Sequence, residues 1–188
     1  DYAFQDCTLA QMTFPASVKD VSSLAFYGCS GLQGFQVAAG NTKYSASEGV
    51  LFDAKKTTIV LYPMGRQAES YQIPDSVKII GENAFNNVNV SEILIPKTVS
   101  VINDGAFAGA KIKTLNLPGS VTSLGLYLCE DCTELQSVTI GKGIKSISYR
   151  MFYNCSSLTE VSLGSTLNTL DSLAFAYCTS LQQITIPD

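Results

Sequence analysis

Apolar residues return along this chain in fixed columns, 22 or 23 residues apart over most of its length. One column reads Phe4, Phe26, Phe85, Phe107, Cys129, Phe152, Phe175. Three residues later a second reads Cys7, Cys29, Val88, Ala110, Cys132, Cys155, Cys178. A third, Leu9, Leu32, Val90, Ile112, Leu135, Leu158, Leu181, leads into a short alternation. Its apolar pairs are Met12/Phe14, Phe35/Val37, Ile93/Ile95, Leu115/Leu117, Val138/Ile140, Val161/Leu163 and Ile184/Ile186. Alternation of period two predicts a short half-buried strand in each unit. A Pro or Gly (Pro15, Pro74, Pro96, Pro118, Gly141, Gly164, Pro187) then ends it, since Pro brings no N–H to a ladder. An apolar pair spaced by three, such as Val77/Ile80 or Val99/Ile102, predicts a second and shorter extended piece. The A-F-x-x-C phrase predicts a turn, or one 3₁₀-like turn, bending the chain round the back of the coil.

A unit this small cannot bury its apolar face alone, so fixed-period repetition predicts stacking. The expected architecture is a repeat solenoid, mainly β, with one short parallel strand per 22–23-residue repeat. Residues 1–188 read as a single unit of about eight rungs. One region breaks the period. Phe26 and Phe85 lie 59 positions apart, which marks 40–71 as an irregular insertion. Within it, Gly49–Pro63 reads as a hairpin of two apolar strands around a polar turn. Phe52 and Pro63 are read as a degenerate Phe column and strand-end Pro, and Met64–Ser70 as a solvated loop.

Composition narrows the function classes. Hydrophobic content is 46% and charged content 15%, so the chain can bury a core but advertises few charges. A net charge of −4 argues against nucleic acid, whose phosphates are bound by Lys and Arg. No run of 18 apolar residues is present, so membrane insertion is not expected. The sequence opens within a repeat and closes on a predicted strand without a polar cap. Because solenoids need capped ends for solubility, this predicts a piece of a longer, secreted parent.

The repeated phrase, seen in Ala174-Phe175-Ala176-Tyr177-Cys178 through Ile184-Thr185-Ile186-Pro187, resembles the BspA-like leucine-rich repeat proteins over essentially the whole chain. The stretch Val37–Pro63, with Gly49-Val50-Leu51-Phe52-Asp53 inside it, is similar to a non-repeat module of that family. The resemblance implies a right-handed leucine-rich-repeat coil in a cell-surface or secreted bacterial protein. It implies adhesion or host and matrix-protein binding and no enzymatic activity. It carries over no functional residue.

Chemistry-bearing residues are absorbed by the columns. Cys129-Glu130-Asp131-Cys132 is a CxxC, a redox or zinc signal in isolation. Here Cys132 stands in the Cys column and Cys129 in the Phe column, so both are expected in the core. Neighbouring column cysteines would stand about 4.8 Å apart with parallel Cβ vectors, which suits packing better than a bridge. Six free, poorly reactive thiols are expected, and no metal or cofactor. With no His, a Ser-His-Asp or Cys-His arrangement cannot be assembled. The sixteen acidic residues scatter through turn positions such as Asp6, Asp53 and Asp131.

The solvent side of the strands remains. Its outward column is an uncharged ladder, Thr13, Gln36, Gln72, Leu94, Asn116, Thr139, Ser162 and Thr185, broken by Leu94. Extended solenoid faces serve as binding surfaces. Tyr27, Tyr44, Tyr127, Tyr149, Tyr153 and Tyr177 lie outside the core columns, and aromatics dominate interface hot spots. Tyr27, Tyr153 and Tyr177 fall in the A-F-x-x-C turns and are expected along one edge. The candidate binding surface is therefore Tyr27, Tyr153, Tyr177, Gln36, Gln72, Leu94, Asn116 and Thr139. The expected partner is a host or matrix protein, or a glycan. The alternative is a structural spacer with no ligand of its own.

Overall fold

The computed structural model describes residues 1–186, a coil of short strands with no helix. Strands β1 (Gln11–Phe14) and β2 (Gly34–Val37) precede β3 (Tyr44–Ser47), β4 (Val50–Asp53) and β5 (Thr58–Leu61). Longer and shorter strands then alternate: β6 (Gln67–Gln72), β7 (Ile79–Ile80), β8 (Asn89–Leu94), β9 (Val101–Ile102), β10 (Thr114–Leu117) and β11 (Ser123–Leu124). The alternation closes with β12 (Ser137–Ile140), β13 (Ser146–Ile147), β14 (Glu160–Ser162) and β15 (Thr169–Leu170). The first strands of successive repeats form a parallel sheet, β6-β8-β10-β12-β14, and β1 pairs with β2 in a separate parallel pair. The second strands stack into another sheet, β5-β7-β9-β11, which the insertion extends through β4 and β3.

The columns become ladders as the pattern requires. Phe85, Phe107 and Phe152 are fully buried, and Phe85 stacks on Phe107 with centroids 5.6 Å apart. The A-F-x-x-C stretches are turns bonded rung to rung. The N–H groups of Phe4, Phe85, Phe107, Cys129 and Phe152 each donate to a carbonyl of the following turn at 2.8–2.9 Å. Backbone conformation selects the second x of the phrase. Asp6, Gly28, Asn87, Gly109, Asp131, Asn154 and Tyr177 all have φ between +54° and +76°. Asn, Asp and Gly tolerate that left-handed region best, which accounts for most of the column.

The Cys column has a polar reason as well as an apolar one. The thiols of Cys29, Cys132, Cys155 and Cys178 donate to the carbonyls of Phe4, Phe107, Cys129 and Phe152 on the preceding turn, at 2.9–3.2 Å. All six cysteines are free, and all but Cys7 are buried. Burial raises Cys29 and Cys129, and the hydrogen bond between Cys155 and Cys178, with burial, raises Cys155 while that bond lowers Cys178, whose protection is its burial. Thiols held protonated are poor nucleophiles. Ellman's reagent is expected to modify Cys7 alone in the folded protein and all six thiols in denaturant. Rapid loss of three or more thiols without denaturant would contradict this packing.

The insertion differs from expectation in two places. Tyr62, not Phe52, occupies the Phe column of its rung. Its N–H donates to Ala84 at 2.8 Å as Phe85 donates to Ala106, and its ring stacks on Phe85 at 5.4 Å. Pro63 follows β5 by two residues, as Pro74 follows β6 and Pro96 follows β8, and accepts from the Arg66 N–H as those prolines accept from Val77 and Val99. Phe52 instead sits in β4 of the expected hairpin, which pairs antiparallel with β5. The presumed loop is shorter than read, because Gln67–Ser70 belong to β6 and pair with β8. With Tyr62 included, eight turns enclose about seven coils, against the eight rungs read from the columns. A third difference lies near the C-terminus. Ile184 and Ile186 carry the alternation but form no strand beside the three-residue β14.

The β3–β4 hairpin turns on Glu48 and Gly49, both at positive φ (50° and 78°), the geometry of a two-residue hairpin loop that matches strand twist. This turn seats against the free edge of β2, where the Phe35 N–H donates to the Gly49 carbonyl at 2.8 Å. The hairpin divides the interior. Leu51 and Leu61 pack with Phe14, Phe26 and Phe35, whereas Val50, Phe52 and Ile59 pack with Tyr62, Tyr71 and Phe85. Between Phe26 and Tyr62 a cavity of about 30 Å³ remains. No bond corresponding to the other turn bonds joins these two residues' turns among the described residues.

Candidate recognition surfaces

Two surfaces carry the residues singled out from the sequence. The first is the outward face of the longer strands. Register places Thr13 beside Gln36, Gln72 beside Leu94, and Asn116 beside Thr139 and then Ser162, all solvent-exposed. Gln36 lies in the separate β1–β2 pair, so Gln72, Leu94, Asn116 and Thr139 are the members that share one sheet. Strands β8 and β10 pair only at Glu92–Thr114 and part beyond it. Leu94 is 39% exposed there, at a depression it lines with Gln72, Asp75, Lys97 and Asn116. The Gln72 amide donates to the Ile73 carbonyl at 3.1 Å, tethering the rim.

The second surface is the turn edge, where the expected single tyrosine cluster splits in two. Tyr27 packs edge-on against Tyr2 near the first turns, with centroids 6.0 Å apart. Tyr153 and Tyr177 meet near the other end at 5.0 Å, with ring planes 72° apart. Beside them Tyr127 and Tyr149 form a second edge-to-face pair at 5.5 Å. Arg150, which the tyrosine pattern does not reveal, joins the pairs. Its guanidinium lies 3.8 Å from the Tyr153 centroid and 5.9 Å from that of Tyr127, and it is ion-paired with Glu130 at 2.5 Å. Burial lifts the Glu130 carboxyl above its ordinary range despite the opposing pull of Arg150. Tyr44 is structural: its hydroxyl accepts from the Val21 N–H at 3.0 Å and its ring packs on Phe14.

Among the described residues, no group of three or more His, Cys, Asp or Glu side chains is placed to hold a metal ion. Among the described residues no helix is long and apolar enough to cross a membrane. Cys129 and Cys132, the CxxC pair, are fully buried in the ladder, as the columns predict.

The sequence matches the BspA type leucine rich repeat region in six copies, over residues 1–58 and 64–188. The chain belongs to the BspA-type leucine-rich repeat family. The gap in the match, 59–63, falls on the end of β5 and on Tyr62 with its following Pro63, while the β3–β4 hairpin lies inside the matched residues. Among solved structures, a leucine-rich repeat protein from Eubacterium ventriosum is similar at 27% identity with a TM-score of 0.81, over 96% of this chain and 56% of that one. A leucine rich cell surface protein from Faecalibacterium prausnitzii is similar at 25% identity and a TM-score of 0.78, over 97% and 49%. The pneumococcal vaccine antigen PcpA is similar at 25% identity and a TM-score of 0.60, over 89% and 46%. The chain thus spans about half the length of these three proteins. No curated protein matches it.

Proposed function

We propose that this BspA-type chain is a non-catalytic recognition module that works outside the cell and binds a host or matrix protein through its solenoid surface. The observation that carries the reading is the strand face. Its inward positions Ile93, Leu115 and Val138 are buried, while its outward positions stand exposed as two registered pairs, Gln72 beside Leu94 and Asn116 beside Thr139. An extended rigid face of this kind buys little for folding and suits a large partner. The extracellular setting is supported by two similar proteins, one named as a cell surface protein and one as a vaccine antigen. The test is a binding screen of the chain against matrix proteins and a glycan array, followed by variants of one surface at a time. A protein hit lost on changing Leu94 and Asn116, or the turn tyrosines, but not both sets, supports the reading. Silence across both panels overturns it in favour of a spacer that holds other domains apart.

A further inference from the structure

Prolines thin the ladder bonds at the far end of the strand face. Gly141 follows β12, and its N–H donates to the Leu117 carbonyl at 2.8 Å, so β10 and β12 stay joined to their ends. In the repeats of β6, β8 and β10 that position is Pro74, Pro96 and Pro118, which bring no N–H. Pro96 therefore leaves the Ile73 carbonyl without its ladder donor, and a side chain takes over. The Gln72 amide donates to Ile73 at 3.1 Å and reaches the Leu94 carbonyl at 3.4 Å. The Ile73 N–H also donates to Leu94, at 3.1 Å. At the next step Pro118 removes the corresponding donor from the Ile95 carbonyl. There the position of Gln72 is held by Leu94, which has no amide to give. Among the described residues, neither the N–H nor the carbonyl of Ile95 is paired with another backbone group. Half-buried Ile95 lines the depression where β8 and β10 part, together with Leu94 and Asn116. Unpaired backbone groups in a sheet are costly and call for a partner.

Resting on the recognition reading above, we propose that this depression takes a glutamine side chain from the partner protein. The preceding coil supplies the precedent, since a carboxamide already serves the corresponding carbonyl there, at Ile73. A carboxamide offers an NH2 donor to the Ile95 carbonyl and an oxygen that accepts from the Ile95 N–H, both on one flat group. Other head groups serve only half of the pair. An ammonium or guanidinium has no acceptor for the N–H, and a carboxylate has no donor for the carbonyl. Asp75 and Glu92 on the rim also repel a carboxylate. A hydroxyl carries both functions on a single atom, which cannot span the two groups of an extended residue. Because β10 already lies beside β8, the opening admits a side chain and no further strand. The methylenes of the glutamine lie along Leu94, the one apolar interruption of the outward ladder.

The test is an NMR titration of the isotope-labelled chain with two blocked peptides, acetyl-Thr-Gln-Thr-N-methylamide and its Glu counterpart. The Gln peptide should shift the Ile95 and Asn116 amide signals, and the Glu peptide should bind about tenfold more weakly. In Leu94→Gln the chain supplies its own carboxamide, as Gln72 does one coil earlier. Affinity for the Gln peptide should then fall about tenfold, with the thermal midpoint level or raised. Pro118→Ala restores a ladder N–H beside the Ile95 carbonyl and should weaken the peptide in the same way, so the result does not hang on how one variant folds. Gln-peptide binding that survives both substitutions overturns the proposal, as does equal binding of the Glu peptide. Absence of any shift at Ile95 also overturns it, and if the matrix screen still scores, the recognition reading stands without this contact. Shifts of the same amides by N-acetylglucosamine and not by the Gln peptide overturn it too, assigning the depression to a sugar's acetamido group.

Discussion

Phe85→Ala is expected to lower the unfolding free energy by about 3–5 kcal/mol, the range for removing a large aromatic from a packed core. The ring is fully buried and lies at the meeting point of the solenoid and its insertion. It stacks on Phe107 at 5.6 Å and on Tyr62 at 5.4 Å, and Tyr71 lies 6.0 Å away. Each of those rings loses a face when Phe85 is truncated, and the ladder above and below is fixed by turn bonds, so little collapse can fill the space. Urea unfolding followed by circular dichroism measures the change. A loss under about 1 kcal/mol would mean that the site relaxes as a loosely packed core does.

The second large effect is expected from Gly49→Val. Gly49 takes φ +78°, and a Cβ there would stand 3.2 Å from the Gly34 Cα and 3.4 Å from the Gln33 carbonyl oxygen. Left-handed strain and overpacking together should cost roughly 2–4 kcal/mol. The loss should be local. Each repeat touches chiefly its neighbours, so solenoid stability is close to a sum of rung and interface contributions. Hydrogen exchange should quicken in β1, β2 and β3 while β8, β10 and β12 keep their protection. Uniform loss of protection across all strands would show that the hairpin is not a separate junction.

Most of the coil was legible in the sequence because its residues are selected by one repeated environment. A Phe, Cys or Leu at a fixed phase has one way to be buried, so the ladders, the short parallel strands and the free thiols all follow. The insertion was legible as a hairpin and misread in phase. Phe52 looked like the missing column member because it is a Phe, but rung position is set by backbone bonds, and Tyr62 makes them. The left-handed columns were visible as Asp6, Gly28, Asn87, Gly109, Asp131 and Asn154 at one spacing. Read as turn formers, they explain themselves; read as a conformational demand, they make Tyr177 conspicuous. Arg150 was hidden, since a lone arginine in a turn has no pattern until the rings around it are placed. The division of Tyr27 from Tyr153 and Tyr177 was hidden for a related reason: a shared phase fixes the edge but not the distance along it.

The break in the strand face has a mechanical consequence. A pull along the solenoid axis loads the bonds between coils directly. From β6 to β14 that tension is shared by ladder bonds on the strand side, further short-strand ladders, and the turn bonds at the back. Between β2 and β6 it crosses on few bonds, chiefly Phe35 to Gly49 and Gly65 to Leu32, beside the small cavity that separates Phe26 from Tyr62. A molecule tethered at both ends would therefore yield first at the hairpin, releasing its first two coils while the longer stack beyond stays wound.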